Sequence, residues 1–189
     1  MSPAETAGTV LGVIGVTLMV RQSVWGWPVG LVQVAVSAWV FHGARLYSDV
    51  LLQGCFFVLQ AYGWWHWRRG GEGEGRPPVT RSAPRLVATW AVLGLVLTML
   101  WGELMRRVTG AALPHWEAFI LVFSLLSQWL QARKRLENWV GWMAVNSVAI
   151  GVYWARDLRG FAALYLLFLG MAIWGHVSWR RTMEEPRDA

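Results

Sequence analysis

Apolar residues in this chain come in long uninterrupted runs, separated by short clusters of arginine, glycine and proline. A surface helix of a soluble domain would carry an apolar stripe at 3.6-residue spacing and a charged opposite face. These runs have no such polar face. They lie at roughly 7–20, 25–43, 50–67, 86–105, 116–132, 139–155 and 158–179. A helix needs about 20 residues to cross the hydrocarbon layer. The first run is short by that measure, so its helix is expected to begin near Pro3, with Glu5 in its first turn. The second has Pro28 in its first turn, where a proline is tolerated. The pattern predicts an all-α polytopic membrane protein with seven transmembrane helices arranged three, one, three.

Residues 68–85, RRGGEGEGRPPVTRSAPR, form the one extended polar stretch. Glycine, proline and charge together predict a flexible linker. Its GEGEG lacks both the preceding strand and the lysine–serine/threonine ending of a phosphate-cradling loop. The expected organisation is a three-helix unit over 1–67, a cytoplasmic linker over 68–85, a linking transmembrane helix over 86–105 and an extracytoplasmic loop over 106–115. A second three-helix unit over 116–179 and a cytoplasmic tail over 180–189 complete it.

The two units repeat. At an offset of 112, Trp27 falls on Trp139, Gly63 on Gly175, Trp67 on Trp179 and Arg68–Arg69 on Arg180–Arg181. Matched leucines count for little in so apolar a chain; the G-x-x-x-W-R-R match, GWWHWRR against GHVSWRR, carries the repeat. Two three-helix units separated by a single helix cross the membrane in the same sense, so the repeat is parallel. Such a repeat points to a transporter whose site lies between its halves.

Composition sharpens this reading. Hydrophobic residues make up 56% of the 189 and charged ones 15%, against about 25% charged in an ordinary soluble domain. Many of the 15 tryptophans stand near the ends of apolar runs, as interface anchors do. The net charge of +6 comes from basic residues scattered through short inter-helix segments, not from a stripe, which argues against a nucleic-acid partner. Five of the 17 basic residues (Arg45, Arg106, Arg107, Arg156, Arg159) fall on one side of the predicted membrane and twelve on the other. The positive-inside rule then puts the amino terminus outside and the carboxy terminus in the cytoplasm. No basic residue precedes Arg21, so no charged n-region of a signal peptide is expected. Cys55 is the lone cysteine; it excludes a disulfide framework and reads as a packing residue.

The stretch WVGWMAVN, Trp139 to Asn146, is the most informative. Trp139, Trp142 and Asn146 are spaced i, i+3, i+7, which sets two indoles and a carboxamide on one helical face. Such a stripe suits a flat uncharged or cationic ligand. The alternative is an interfacial tryptophan plus one helix–helix hydrogen bond. Asp49, Glu103, Glu117, Glu137 and Asp157 all fall at ends or in loops, and the four histidines also lie toward ends. No intramembrane proton relay, nucleophile–base pair or metal motif is visible, so no catalytic residue, metal or cofactor is expected. His42 and His176 read as interfacial hydrogen-bonding groups. Gln33, Gln53, Gln60, Gln128 and Asn146 each cost free energy in hydrocarbon unless paired. Some are interhelical glue, Gln53 among them; Gln60 and Asn146 lie at depths suited to a central cavity.

The chain resembles the PnuC nicotinamide riboside transporter family over nearly its whole length. The resemblance rests on WGWPVGLVQ from Trp25, LYSDVLLQ from Leu46 and YGWWHW from Tyr62. In the second half it rests on SQWLQARKRLENW, WVGWMAVN and ALYLLFLGMAIWGHVSW. Trp139, Trp142 and Asn146 match the family's substrate-contacting WxxWxxxN motif. Gln60 matches a substrate-contacting glutamine of the third helix, and Gln128 sits in a family-like S-Q-x-L-x-x-x-K context bordering the pocket. The resemblance implies a 3+1+3 fold related to SWEET transporters, a homotrimer, and residence in the bacterial inner membrane. It implies facilitated diffusion of nicotinamide riboside, trapped by phosphorylation on a separate cytosolic kinase. Related proteins carry thiamine or riboflavin instead, and a membrane structural subunit without transport is the reading from another class. Phosphorylated substrate is expected to be rejected, because no basic side chain is available at mid-depth to compensate a dianion.

Overall fold

The computed structural model of the chain describes residues 3–43, 47–69, 77–110 and 112–185. Among them are seven helices: α1 Pro3–Val20, α2 Gly26–Gly43, α3 Tyr47–Arg69, α4 Pro84–Val108, α5 Pro114–Ala132, α6 Asn138–Ala155 and α7 Arg159–Glu184. Each apolar run is one helix. α1 starts at Pro3 as its shortness required, and α3 and α7 extend past their apolar runs through Arg69 and Glu184. α4 and α7 are each long and apolar enough to cross a membrane on their own.

Three helices end in the same way. Gln22, Lys134 and Asp157 take left-handed backbone conformations, with φ of 54°, 51° and 56°. After α1, the Gln22 N–H donates to the Met19 carbonyl and the Ser23 N–H to that of Leu18; the pairs after α5 and α6 are laid out identically. This is a Schellman cap, in which two otherwise orphaned carbonyls are satisfied. A non-glycine residue in this conformation costs about 1 kcal/mol or more, so each turn holds it by those bonds. The caps reverse the chain tightly and make α1–α2, α5–α6 and α6–α7 packed neighbours.

Six helices close a ring in the order α1, α2, α3, α5, α6, α7 and back to α1. α4 stands outside, touching α5 alone among the helices. That contact is close because Gly94 lies against Phe123 and Gly102 against His115; small residues let backbones approach in this way. Trp90 packs edge-on to Trp129 in the same seam. The other side of α4 shows Leu93, Val96 and Leu100 to the surroundings. Cys55 is exposed on α3, so it is not the interior packing residue its apolar neighbours imply.

Ten of the 15 tryptophans fall into two distinct placements. Trp39, Trp101, Trp116 and Trp154 are exposed toward one end of the bundle, and Trp25 and Trp65 toward the other, where amphipathic rings stabilise a membrane interface. Trp27, Trp67, Trp139 and Trp179 are instead at most 2% exposed and form the centre of the main core cluster.

The described parts of the predicted linker are structured. Residues 68–69 complete α3, residues 84–85 open α4, and residues 77–83 dock on the α5–α6 turn; residues 70–76 lie outside the described set. The Thr80 N–H donates to the Lys134 carbonyl at 3.1 Å, and the Leu136 N–H donates to Thr80 at 3.0 Å. Ser82 donates its N–H and its hydroxyl to the Glu137 carboxylate at 3.0 and 3.2 Å. Val79 joins the indole cluster. The turn offers unused backbone groups and an apolar seat, and this short strap fills both.

Candidate functional site

Four indoles close the end of the ring where α3 and α7 finish and α2 and α6 begin. Trp27 meets Trp67 edge-on at 5.3 Å, and Trp139 meets Trp179 edge-on at 5.4 Å. Trp67 and Trp179 touch each other at 5.9 Å. Edge-to-face packing sets the positive rim of one ring against the negative face of the next. The Trp27 ring lies on Gly63 and the Trp139 ring on Gly175, each so close that a Cβ would overlap it. The Trp67 indole N–H donates to the Ala132 carbonyl at 3.1 Å and the Trp179 indole N–H to the Met19 carbonyl at 3.0 Å. These bonds tie α3 to α5 and α7 to α1. The Nε1 groups of Trp27 and Trp139 are both buried without a hydrogen-bond partner.

Lys134 belongs to this floor. In the sequence it is the middle of three adjacent cations, Arg133, Lys134 and Arg135; in the structure it is 2% exposed. Its Nζ lies 4.6 Å from the centre of the Trp67 ring and donates to Gln22 Oε1 at 3.2 Å. The left-handed turn aims the middle residue inward and leaves Arg133 outside.

Carboxamides lie one to two turns above the floor. The Trp142 indole N–H donates to Gln131 Oε1 at 3.3 Å, bridging α6 to α5. One turn further on those antiparallel helices come Gln128 and Asn146, at 6% and 5% exposure. Gln60 of α3 is also buried, pressed on Gly30 of α2, and its Oε1 has no hydrogen-bond partner. Gln60 stands seven residues from Trp67 and Asn146 seven from Trp139, so each amide is about 10 Å above the indole floor at 1.5 Å per residue. No carboxylate occurs among the buried polar residues described. At the far end Arg156 pairs with Glu117, joining the end of α6 to the start of α5.

The structure therefore separates the sequence-predicted residues into two levels. Trp139 is in the floor, while Trp142, Asn146, Gln128 and Gln60 belong to the layer above it. Sequence reading missed Gln131, Ser124 and Ser127, all buried on α5. Their spacing with Gln128, i, i+3, i+4, i+7, marks a polar stripe that turns α5 toward the protein interior. His176 Nδ1 is buried without a partner. The open hollow on the outer face of α7, between Leu166, Leu167, Met171 and Trp174, is apolar and offers no orienting group.

Known proteins bear on this arrangement. The profile of the nicotinamide mononucleotide transporter family matches residues 2–181. The chain is 26% identical over 185 residues to the riboflavin/roseoflavin transporter RibM of Streptomyces davaonensis, covering 93% of this chain and 84% of that one. It is 23% identical over 210 residues to the nicotinamide riboside transporter PnuC of Escherichia coli, covering 98% and 88%. Its fold matches the crystal structure of the vitamin B3 transporter PnuC with a TM-score of 0.77, at 20% identity over 96% of this chain and 82% of that one. The family profile runs through all seven helices and both levels of the site, and the chain belongs to the nicotinamide mononucleotide transporter family.

Proposed function

We propose that this protein is a multi-pass carrier of the bacterial inner membrane that equilibrates nicotinamide riboside by facilitated diffusion. Net uptake follows from phosphorylation by a separate cytosolic kinase. The observation that carries this reading is the buried carboxamide layer, rich in hydrogen-bonding groups and without a carboxylate. Nicotinamide riboside has a flat cationic ring, a carboxamide and a hydroxylated sugar. Trp142 offers the ring an aromatic face, which attracts a cation. Gln60, Gln128 and Asn146 offer the carboxamide and hydroxyls donors and acceptors, and Trp139 closes the floor beneath. With no buried acid among the described residues to take up and release a proton, coupling to a proton gradient has no carrier group there.

The proposed architecture is seven spans as two parallel three-helix repeats, α1–α3 and α5–α7, linked by α4, in the manner of SWEET transporters. The ring order supports it, because exchanging α1–α3 with α5–α7 leaves every helix contact in the ring unchanged. The amino terminus is outside, the carboxy terminus and the indole floor are cytoplasmic, and three copies assemble as a homotrimer. Purified protein in vesicles is expected to equilibrate labelled nicotinamide riboside without a proton or sodium gradient. Accumulation above equilibrium that collapses with an ionophore rejects the passive mechanism. Absence of flux with nicotinamide riboside, riboflavin and thiamine alike favours a structural subunit.

Riboflavin is the second reading, favoured by the 26% identity to a riboflavin/roseoflavin transporter. Titration of the two compounds against the same preparation separates them.

A further inference from the structure

Gln22 and Lys134 occupy the same position in two equivalent turns, α1–α2 and α5–α6. They are 112 residues apart, both left-handed, and bonded to each other at 3.2 Å. A bond between repeat-equivalent residues lies on the axis relating the two halves. The Lys134 ammonium therefore sits on the midline of the indole end of the ring. The Gln22 amide and the Trp67 face that it meets belong to the first half, while its own backbone belongs to the second. The strap seals the same point from outside. Thr80 bonds the Lys134 carbonyl, and Val79 packs with the four indoles. An ammonium this deeply buried is tolerated only through such acceptors and aromatic faces.

From this geometry we propose that Lys134 is the latch of the cytoplasmic gate. Solute leaving the carboxamide layer toward the cytoplasm passes only when Lys134 releases Gln22 and Trp67 and the halves part at the indole floor. Lys134 is a positioning residue here: it acts through the two groups it holds, and the proposal rests on the carrier reading above.

The test uses the full-length protein in vesicles on a C55A background, with S124C as a reporter on the buried face of α5. Labelling by a membrane-impermeant maleimide is applied from the cytoplasmic side without substrate. Loss of the latch in K134M is expected to raise the labelling rate roughly ten-fold, the effect of a tenfold larger open population. Q22L is expected to do the same and the double variant no more, whereas K134R, which keeps the cation, labels like the parent. Unchanged labelling in folded K134M or Q22L overturns the latch, as does failure of both variants to fold, which would make the contact purely structural. Because substrate is absent, increased labelling in a protein that carries no nicotinamide riboside would leave the latch standing and remove the carrier reading.

Discussion

Trp67 and Trp179, 112 residues apart in the chain, touch at a centroid distance of 5.9 Å. Each also reaches across to the opposite three-helix unit through its indole N–H, to Ala132 and to Met19. The two sequence-matched tryptophans thus join α1–α3 to α5–α7. Their partners Trp27 and Trp139 fit only because Gly63 and Gly175 leave room for them.

Alanine at either glycine is therefore expected to be destabilising. G63A and G175A each push a methyl into a fully buried indole, and overpacking of this kind costs about 1–3 kcal/mol. Scanning fluorimetry in detergent should show both melting several degrees below wild type, by similar amounts. Gly151, where a Cβ meets nothing within 4 Å, is the control. G151A should be neutral or slightly stabilising, since alanine favours a helix over glycine by about 1 kcal/mol. Equal melting of all three variants would contradict the close fit of the rings.

The bond from Trp142 to Gln131 separates the ring from its polar edge. W142F keeps an aromatic face and removes the hydrogen bond, worth roughly 0.5–1.5 kcal/mol, so affinity for nicotinamide riboside should fall a few-fold. W142A also removes the face, worth about 1–2 kcal/mol more when desolvated, and should fall further. N146L and Q60L should behave like W142F. W139A should lose stability as well as affinity, because that ring belongs to the floor. Calorimetric titration beside size-exclusion profiles distinguishes these cases. If W142A and N146L bind like wild type while monodisperse, the carboxamide layer is not the site.

Topology is tested at two exposed positions. Gly110, between α4 and α5, has open space around it, and Thr182 is exposed near the end of α7. On a C55A background, G110C should react with impermeant reagents from outside and T182C only after the inner face is opened. The reverse pattern would invert the orientation inferred from the five-to-twelve division of basic residues.

All seven helices were legible in the sequence because each is a long, mostly apolar run bounded by charged, glycine or proline residues, a pattern that marks a helix. The matched segments Gly63–Trp67 and Gly175–Trp179 were legible because a buried indole lies on each glycine, where packing permits little substitution. Other features left no such trace. Val79 stands alone between two prolines and a polar segment, so its burial depends on a seat that only the folded α5–α6 turn supplies. Lys134 looks like one of three adjacent cations, and only the left-handed turn distinguishes the one pointing inward. Ser124, Ser127, Gln128 and Gln131 do carry helical spacing, and reading them as one stripe, not as separate amides, would have placed α5's interior face.

The sharpest discrimination expected of the site is between nicotinamide riboside and its 5′-phosphate. The carboxamide layer has no cation among its buried residues; Lys134 is the buried basic group described, and it lies in the floor against Trp67. At about 10 Å and an effective dielectric of about 20, one ammonium offers a unit negative charge under 2 kcal/mol. Removing a phosphate from water into a site without a paired cation costs several kcal/mol. The nucleotide should therefore bind at least about ten-fold more weakly than the nucleoside, a difference of at least 1.4 kcal/mol. Titrating both against wild type measures it directly. Equal affinities would mean that a cation does reach the ligand. K134M identifies it: if that substitution removes nucleotide binding and spares the nucleoside, Lys134 swings up from the floor to meet the phosphate, and the carboxamide layer alone does not set selectivity.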